Sequence, residues 1–229
     1  MSVHKFVIVE AIYPGMMPLD FVGPHAFFTR IPGATTIVAS EPGGPIASED
    51  GLTFDGTRRM SEIERCDLLF VPGGKATAVI NDAAFMREFK RLAASAKYHT
   101  SVCNGSLVLG AAGLLNGKRA ACHWAYRDML PLFGAIPEGS RVTRDGNTFT
   151  GGGVTAGIDF ALVVAAELAG ESQAQALQLD LEYAPAPPFD AGRPETAPPE
   201  VLAKVKESMA KELSGHRAEA QTAAARQGS

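Results

Sequence analysis

Several short runs in this chain are apolar without alternation. Phe6-Val7-Ile8-Val9 and Leu68-Leu69-Phe70-Val71 lack the in-and-out pattern of a half-exposed strand, as expected for strands covered by helices on both faces. Thr36 to Ala39, His99 to Cys103 and Arg119 to Cys122 read as further strands, and Pro42 to Pro45 followed by Leu52-Thr53-Phe54 reads as a small hairpin. Between them the pattern changes to helical. One helix is predicted from Asp20, a good N-cap type, to about Arg30, ahead of Pro32; another is capped by Asn81 and runs to about Ala96. Helices are also predicted over Ser106 to Leu114, Trp124 to Leu132 and Thr155 to Leu168, with a hairpin turn at Asp145-Gly146. Strands alternating with helices imply βαβ units, and hence an α/β fold with a mostly parallel central sheet and helices on both faces.

The pattern breaks after residue 182. The stretch APAPPFDAGRPETAPP carries too many prolines to continue any element, and an amphipathic helix follows from about Pro199 to Leu213, with the Ala-, Gln- and Arg-rich end expected to fray. We therefore divide the chain into an α/β domain, residues 1–182, and an arm with a C-terminal helix, residues 183–229, packing on the same domain or on a dimer partner.

Composition narrows the function classes. With 46% apolar and 20% charged residues, the 229-residue chain belongs with ordinary globular proteins. A net charge of −4 provides no basic face for phosphates, so a small molecule is the expected partner and nucleic acid is not. The apolar run near the N-terminus is too short for a signal peptide and lacks a cleavage site, and no stretch approaches a membrane span. Three widely spaced cysteines argue for free thiols in a reducing, cytoplasmic setting.

The candidate chemistry centres on Cys103. A buried strand entering Cys103, then Asn104-Gly105 and an apolar helix, has the layout of a nucleophile elbow, with the helix N-terminus expected to lower the thiol pKa. Cys66 reads as packing, and Cys122 lacks an elbow. In open α/β sheets ligands sit at the carboxyl ends of the strands. That places Asp20, the Gly73-Gly74 turn and His123 near the thiol. Asp20 is either a cap or a proton-transferring acid, or both. The N–H groups of Gly73 and Gly74, with that of Asn104, are expected to stabilise developing negative charge, unless the glycines are a plain turn. His123 is a base or a polar strand end, and Glu10 is a weaker acid candidate.

At these residues the sequence resembles the ThiJ/PfpI superfamily from about Lys5 to Leu168, and within it the isocyanide hydratases. The resemblance rests on Leu19-Asp20-Phe21-Val22-Gly23-Pro24, Val71-Pro72-Gly73-Gly74, Ser101-Val102-Cys103-Asn104-Gly105-Ser106, His123-Trp124, Thr150-Gly151-Gly152-Gly153 and Leu181 to Phe189. It implies a flavodoxin-like homodimer that adds water to an isocyanide to give an N-substituted formamide, with Cys103 as nucleophile, Asp20 handling protons, and no metal or organic cofactor. Phe21, His123, Trp124, Val154 and Thr155 are the expected pocket. Asn104 departs from the Thr common at that position in such hydratases, which removes any hydroxyl-specific role but keeps the backbone N–H. Peptidase relatives often place a His directly after the Cys, which this chain lacks. Two other readings share the motifs: the ligand-binding sensor domain of AraC-type regulators, and a glyoxalase- or deglycase-like enzyme.

Overall fold

In the computed structural model, which describes residues 5–227, the apolar runs form the inner strands of one eight-stranded sheet. The first half of the chain contributes β1 (Phe6–Ala11), α1 (Pro18–Phe28), β2 (Ala34–Ser40), β3 (Gly44–Ala47), β4 (Thr53–Arg59), β5 (Leu68–Val71), α2 (Ala76–Val79) and α3 (Ala83–Ser95). The second half contributes β6 (Tyr98–Val102), α4 (Ser106–Ala111), β7 (Arg119–Ala121), β8 (Ile136–Glu138), β9 (Val142–Asp145), β10 (Thr148–Gly151), α5 (Ala156–Ala169), α6 (Glu171–Asp180) and α7 (Pro199–Ala225). The strand order is β3-β4-β2-β1-β5-β6-β10-β9, parallel throughout except for the two edge pairs, β3 with β4 and β9 with β10.

Continuous apolar strands serve both faces. Ile8, Leu68 and Phe70 point to one core with Phe28 of α1 and Phe160 of α5; Val9, Leu69 and Val71 point to the other with Phe85, Phe89 and Leu107. The first core is held by a ring cluster in which Phe70 lies 5.7 Å from Phe28 and 5.8 Å from Phe160. This is the α/β sandwich with a mostly parallel sheet that the strand and helix pattern predicts, in the flavodoxin-like arrangement that the resemblance implies.

Several local expectations are corrected. Asp20 does not cap α1: the helix begins at Pro18, with Met17 at the cap position and no side-chain cap bond. Proline suits a first helical position because its fixed φ is already helical and its missing N–H is not needed there. Asp82, not Asn81, caps α3, accepting from the N–H groups of Ala84 and Phe85; the Asn81 amide instead donates to Thr77 O at 3.0 Å and Glu219 O at 3.1 Å. β7 pairs with β8 in a separate two-stranded sheet, because Thr150 Oγ1 takes the Ala121 N–H at 2.8 Å where a ladder carbonyl would otherwise be needed. The helix expected over Trp124 to Leu132 is a 3₁₀ segment, Arg127–Phe133, with Pro131 inside it. The end of α7 does not fray at Leu213. Its alanines allow close packing: Ala220 and Ala223 are buried, and the Gln227 amide donates to Gly110 O at 2.7 Å. No helix or strand forms over residues 183–198, as the prolines require, and no helix of the described residues is long and apolar enough to cross a membrane.

Candidate active site

Cys103 sits at the turn from β6 into α4 with φ of +60°, one of two non-glycine described residues with positive φ. A left-handed backbone costs an L-residue about 1–2 kcal/mol, so the surroundings must enforce it. They do so at both ends. The Cys103 N–H donates to Gly152 O at 2.8 Å, and Gly105 lies so close to β5 that a Cβ there would be 2.6 Å from the carbonyl oxygens of Val71 and Pro72. The Ser106 hydroxyl then ties the start of α4 to Ala121 O at 2.6 Å.

Three side chains converge on Gly73. A Cβ at that position would stand 2.5 Å from Asn104 Oδ1, 2.7 Å from Asp20 Oδ2 and 2.8 Å from Cys103 Cβ. The Gly73 N–H donates to Asp20 Oδ2 at 3.1 Å, and the Gly74 N–H donates to Asn104 Oδ1 at 2.9 Å while Asn104 Nδ2 returns a bond to Gly74 O at 2.8 Å. Both glycine N–H groups are therefore engaged. The expectation that they face a reacting oxyanion is corrected: they orient Asp20 and Asn104 instead. The donor beside the sulfur is the Asn104 backbone N–H. Gly73→Ala is expected to retain the fold by circular dichroism yet lose about 10²-fold in turnover, because displacing any of three converging groups by a fraction of an ångström spoils the alignment. Unchanged steady-state kinetics would show that this convergence is not required.

Asp20 is fully buried, and its Oδ1 has no hydrogen-bond partner among the described residues. Burial pushes its carboxyl up to about 7, against the opposing pull of Cys103 and the Gly73 N–H. Cys103 is 6% exposed. Burial first, and the Asp20 charge second, push its thiol well above the ordinary value, with the Asn104 N–H acting in the opposite direction. The expected lowering by the helix terminus is thus overturned: a six-residue α4 does not outweigh burial beside a carboxylate. Two acids this close titrate as a unit, holding one negative charge that a proton can place on either group.

The cavity at the thiol has a volume of about 440 Å³, within the range of small-molecule sites. Cys103, Asn104, Gly74, His123 and Val154 line it, together with residues sequence reasoning missed: Met17, Glu49, Lys75, Tyr126, Met209 and Glu212. A signal for the last two was present. Met209, Glu212 and His216 follow one helix face, and His216 Nδ1 meets the Tyr126 hydroxyl at 3.0 Å. Other expected residues lie elsewhere. Phe21 packs its ring on Phe54 at 5.3 Å and lines a separate cavity with Val22 and His25. Trp124 and Thr155 line a neighbouring cavity of about 230 Å³ that shares His123 and Val154 with the first. Glu10 is buried against His25 Nδ1 at 2.6 Å. His123 is pushed down to about 4 by burial and by the charge of Arg127, so it is a neutral imidazole near neutral pH, with Nδ1 accepting from the Ala125 N–H at 3.3 Å. Cys66 and Cys122 are buried, 1% and 2% exposed, and neither lines the Cys103 cavity.

Comparison with known proteins follows the same lines. An isonitrile hydratase of Pseudomonas putida is 47% identical over 203 residues, 88% of this chain and 89% of that protein. A crystal structure of a ThiJ/PfpI family protein from Pseudomonas syringae superposes with a TM-score of 0.90 at 42% identity, covering 96% of this chain and 91% of that one. An HTH-type transcriptional regulator of Pseudomonas aeruginosa is 30% identical over 137 residues, 58% of this chain but 40% of the regulator. The family model for DJ-1/PfpI proteins matches residues 5–167, the span that holds the sheet, the Cys103 turn and Asp20, and the chain belongs to the DJ-1/PfpI family.

Proposed function

We propose that this chain hydrates isocyanides, with Cys103 as nucleophile and Asp20 as proton carrier. The observation that supports this most is the likeness to the isonitrile hydratase, which runs beyond the family core to 88% of the chain. The site geometry agrees with it. An isocyanide carbon is electrophilic toward sulfur and must be protonated as the carbon–sulfur bond forms. With the proton on Asp20, sulfur carries the charge, steadied by the Asn104 N–H; attack then draws that proton to the isocyanide carbon and leaves a thioimidate, R–N=CH–S–Cys103. Water adds to the same carbon, giving up a proton through Asp20 to the nitrogen. As the carbon–sulfur bond breaks, the hydroxyl of the adduct returns its proton to Asp20, sulfur takes back the charge, and the N-substituted formamide departs.

Incubation with an alkyl isocyanide, and separately with methylglyoxal, tests the reading. Formamide without lactate supports it; lactate as the main product supports the glyoxalase-like alternative; saturable binding without turnover supports a sensor module, the reading favoured by the regulator match. In this proposal the enzyme acts in the cytoplasm, where its three buried free thiols stay reduced. It also acts as a homodimer. Leu19 and Val22 of α1 and Val163 of α5 are each about 40% exposed on helices that pack together, and Phe189 of the arm is 81% exposed, apolar surface that a second copy would cover. Light scattering at micromolar concentration should give twice the chain mass, and a monomer would refute the dimer.

A further inference from the structure

The cavity of about 230 Å³ beside the Cys103 site is lined by Arg127, Arg141 and Arg193. Arg127 Nε is buried with no hydrogen-bond partner, and Arg127 and Arg193 have no ion pair among the described residues. A guanidinium cannot shed its charge, so an unpaired N–H inside protein is a standing cost that an acceptor would remove. Arg141 is different: it is already satisfied by Asp159 and by Thr155 O at 2.9 Å. Glu195 is the one acid on the wall, which leaves the lining with one net positive charge beyond the Arg141–Asp159 pair. Thr155 and Ala156, at the start of α5, complete this side of the wall, with the Ala156 N–H already held by Gly153 O at 2.8 Å.

We infer that this cavity is an anion subsite that receives a carboxylate carried on the N-substituent of the isocyanide. The inference rests on the hydratase reading for the reacting end, and on the arginines for the other end. His123 and Val154 line both cavities, and the proposal has a substrate with its isocyano carbon at Cys103 pass beside them into the second. His123, neutral near pH 7, neither repels nor neutralises the tail. A monoanion fits the charge balance: Glu195 opposes a dianion, and the volume is too small for a nucleotide. Arginine recognises a planar carboxylate through paired N–H bonds, and Arg127, whose Nε has no partner among the described residues, is the donor the proposal assigns to it.

Binding and turnover are to be measured separately. A short series of N-formyl amino acids, the formamide products of isocyano acids, and their methyl esters are titrated calorimetrically into the full chain. The acids are expected to bind at least about 10-fold more tightly than the esters, with a salt-sensitive margin that falls to near unity in Arg127→Gln and shrinks in Arg193→Gln. In parallel, kcat/KM for an isocyano carboxylate should exceed that of its ester by a similar factor, mainly through KM. Acid and ester binding alike in the wild-type protein, or a preference that survives both substitutions in folded variants, overturns the subsite. Turnover of a plain alkyl isocyanide with no acid preference sinks the subsite and keeps the hydratase. An arginine-dependent acid preference in binding, without hydration of any isocyanide, keeps the anion site and sinks the hydratase reading.

Discussion

Cys103→Ala is expected to abolish isocyanide hydration, a loss of roughly 10⁴-fold or more, because no other group in the cavity can form the covalent thioimidate. The variant should fold. Cys103 is a small buried residue, and alanine keeps its backbone bond to Gly152 O. Alanine also keeps the cost of φ at +60°, whereas Cys103→Gly removes it. The glycine variant should therefore be at least as stable as the alanine variant in denaturant, since glycine accepts a left-handed backbone freely and that relief offsets its larger unfolded-state entropy. Both should be inactive. This pairing separates strain from chemistry: if the strained backbone alone mattered, activity would survive in Ala, which keeps the strain, and change only in Gly, which releases it, whereas a nucleophile loses activity in both. Full activity in the alanine variant would move the nucleophile away from this turn.

The strand-to-helix turn at Cys103 was legible in sequence because its requirements are local. A buried run must end where one side chain turns out of the sheet, and Gly105 is needed where the chain passes within 2.6 Å of two carbonyl oxygens. The inner strands were legible because burial on both faces leaves no alternation. What escaped were contacts closed by distant segments. Gly73 and Gly74 read as donors to a ligand, but their N–H groups serve Asp20, 53 residues earlier, and Asn104, 30 residues later. Phe21 sits one residue from Asp20, yet a helix turns successive residues about 100° apart, so it faces Phe54 rather than the thiol. Likewise α7 was expected to stop at Leu213 because its alanines have little apolar surface of their own. Their value is small size, which lets the helix lie against α2 and α4. The sign of the Cys103 shift was missed for a related reason: the helix terminus is visible in the sequence, whereas burial beside a fully buried carboxyl is not.

Asp20→Asn is expected to cut turnover by roughly 10²–10⁴-fold while making the protein more stable at alkaline pH. The two effects share one cause. In the folded protein the Asp20 carboxyl holds its proton up to about 7, against an ordinary value of 3.8. A group whose folded pKa is raised binds more protons folded than unfolded between those values, so its contribution to stability is complete below pH 3.8 and is lost as pH rises through 7. The loss amounts to about 4 kcal/mol at pH 8, the cost of a buried carboxylate with one oxygen unpartnered. Asparagine carries no charge, can still accept from the Gly73 N–H, and gives up no cap because Asp20 is not one. Denaturant unfolding of the variant should show little change in stability between pH 5 and 8 from this site, where the wild type declines. Chemistry moves in the opposite direction. In the wild type, alkylation of Cys103 by iodoacetamide should rise through about pH 7, as the pair loses its first proton and part of the resulting charge resides on sulfur. Without the carboxyl the thiol titrates alone, and burial favours its protonated form, so the rise should shift to higher pH. A folded variant that keeps the wild-type alkylation profile and near-full hydration would show that Asp20 carries no proton in the reaction; His123 could not supply one, being neutral at that pH, and Glu10 is tied to His25, so the acid would have to be a bound water or the thiol itself.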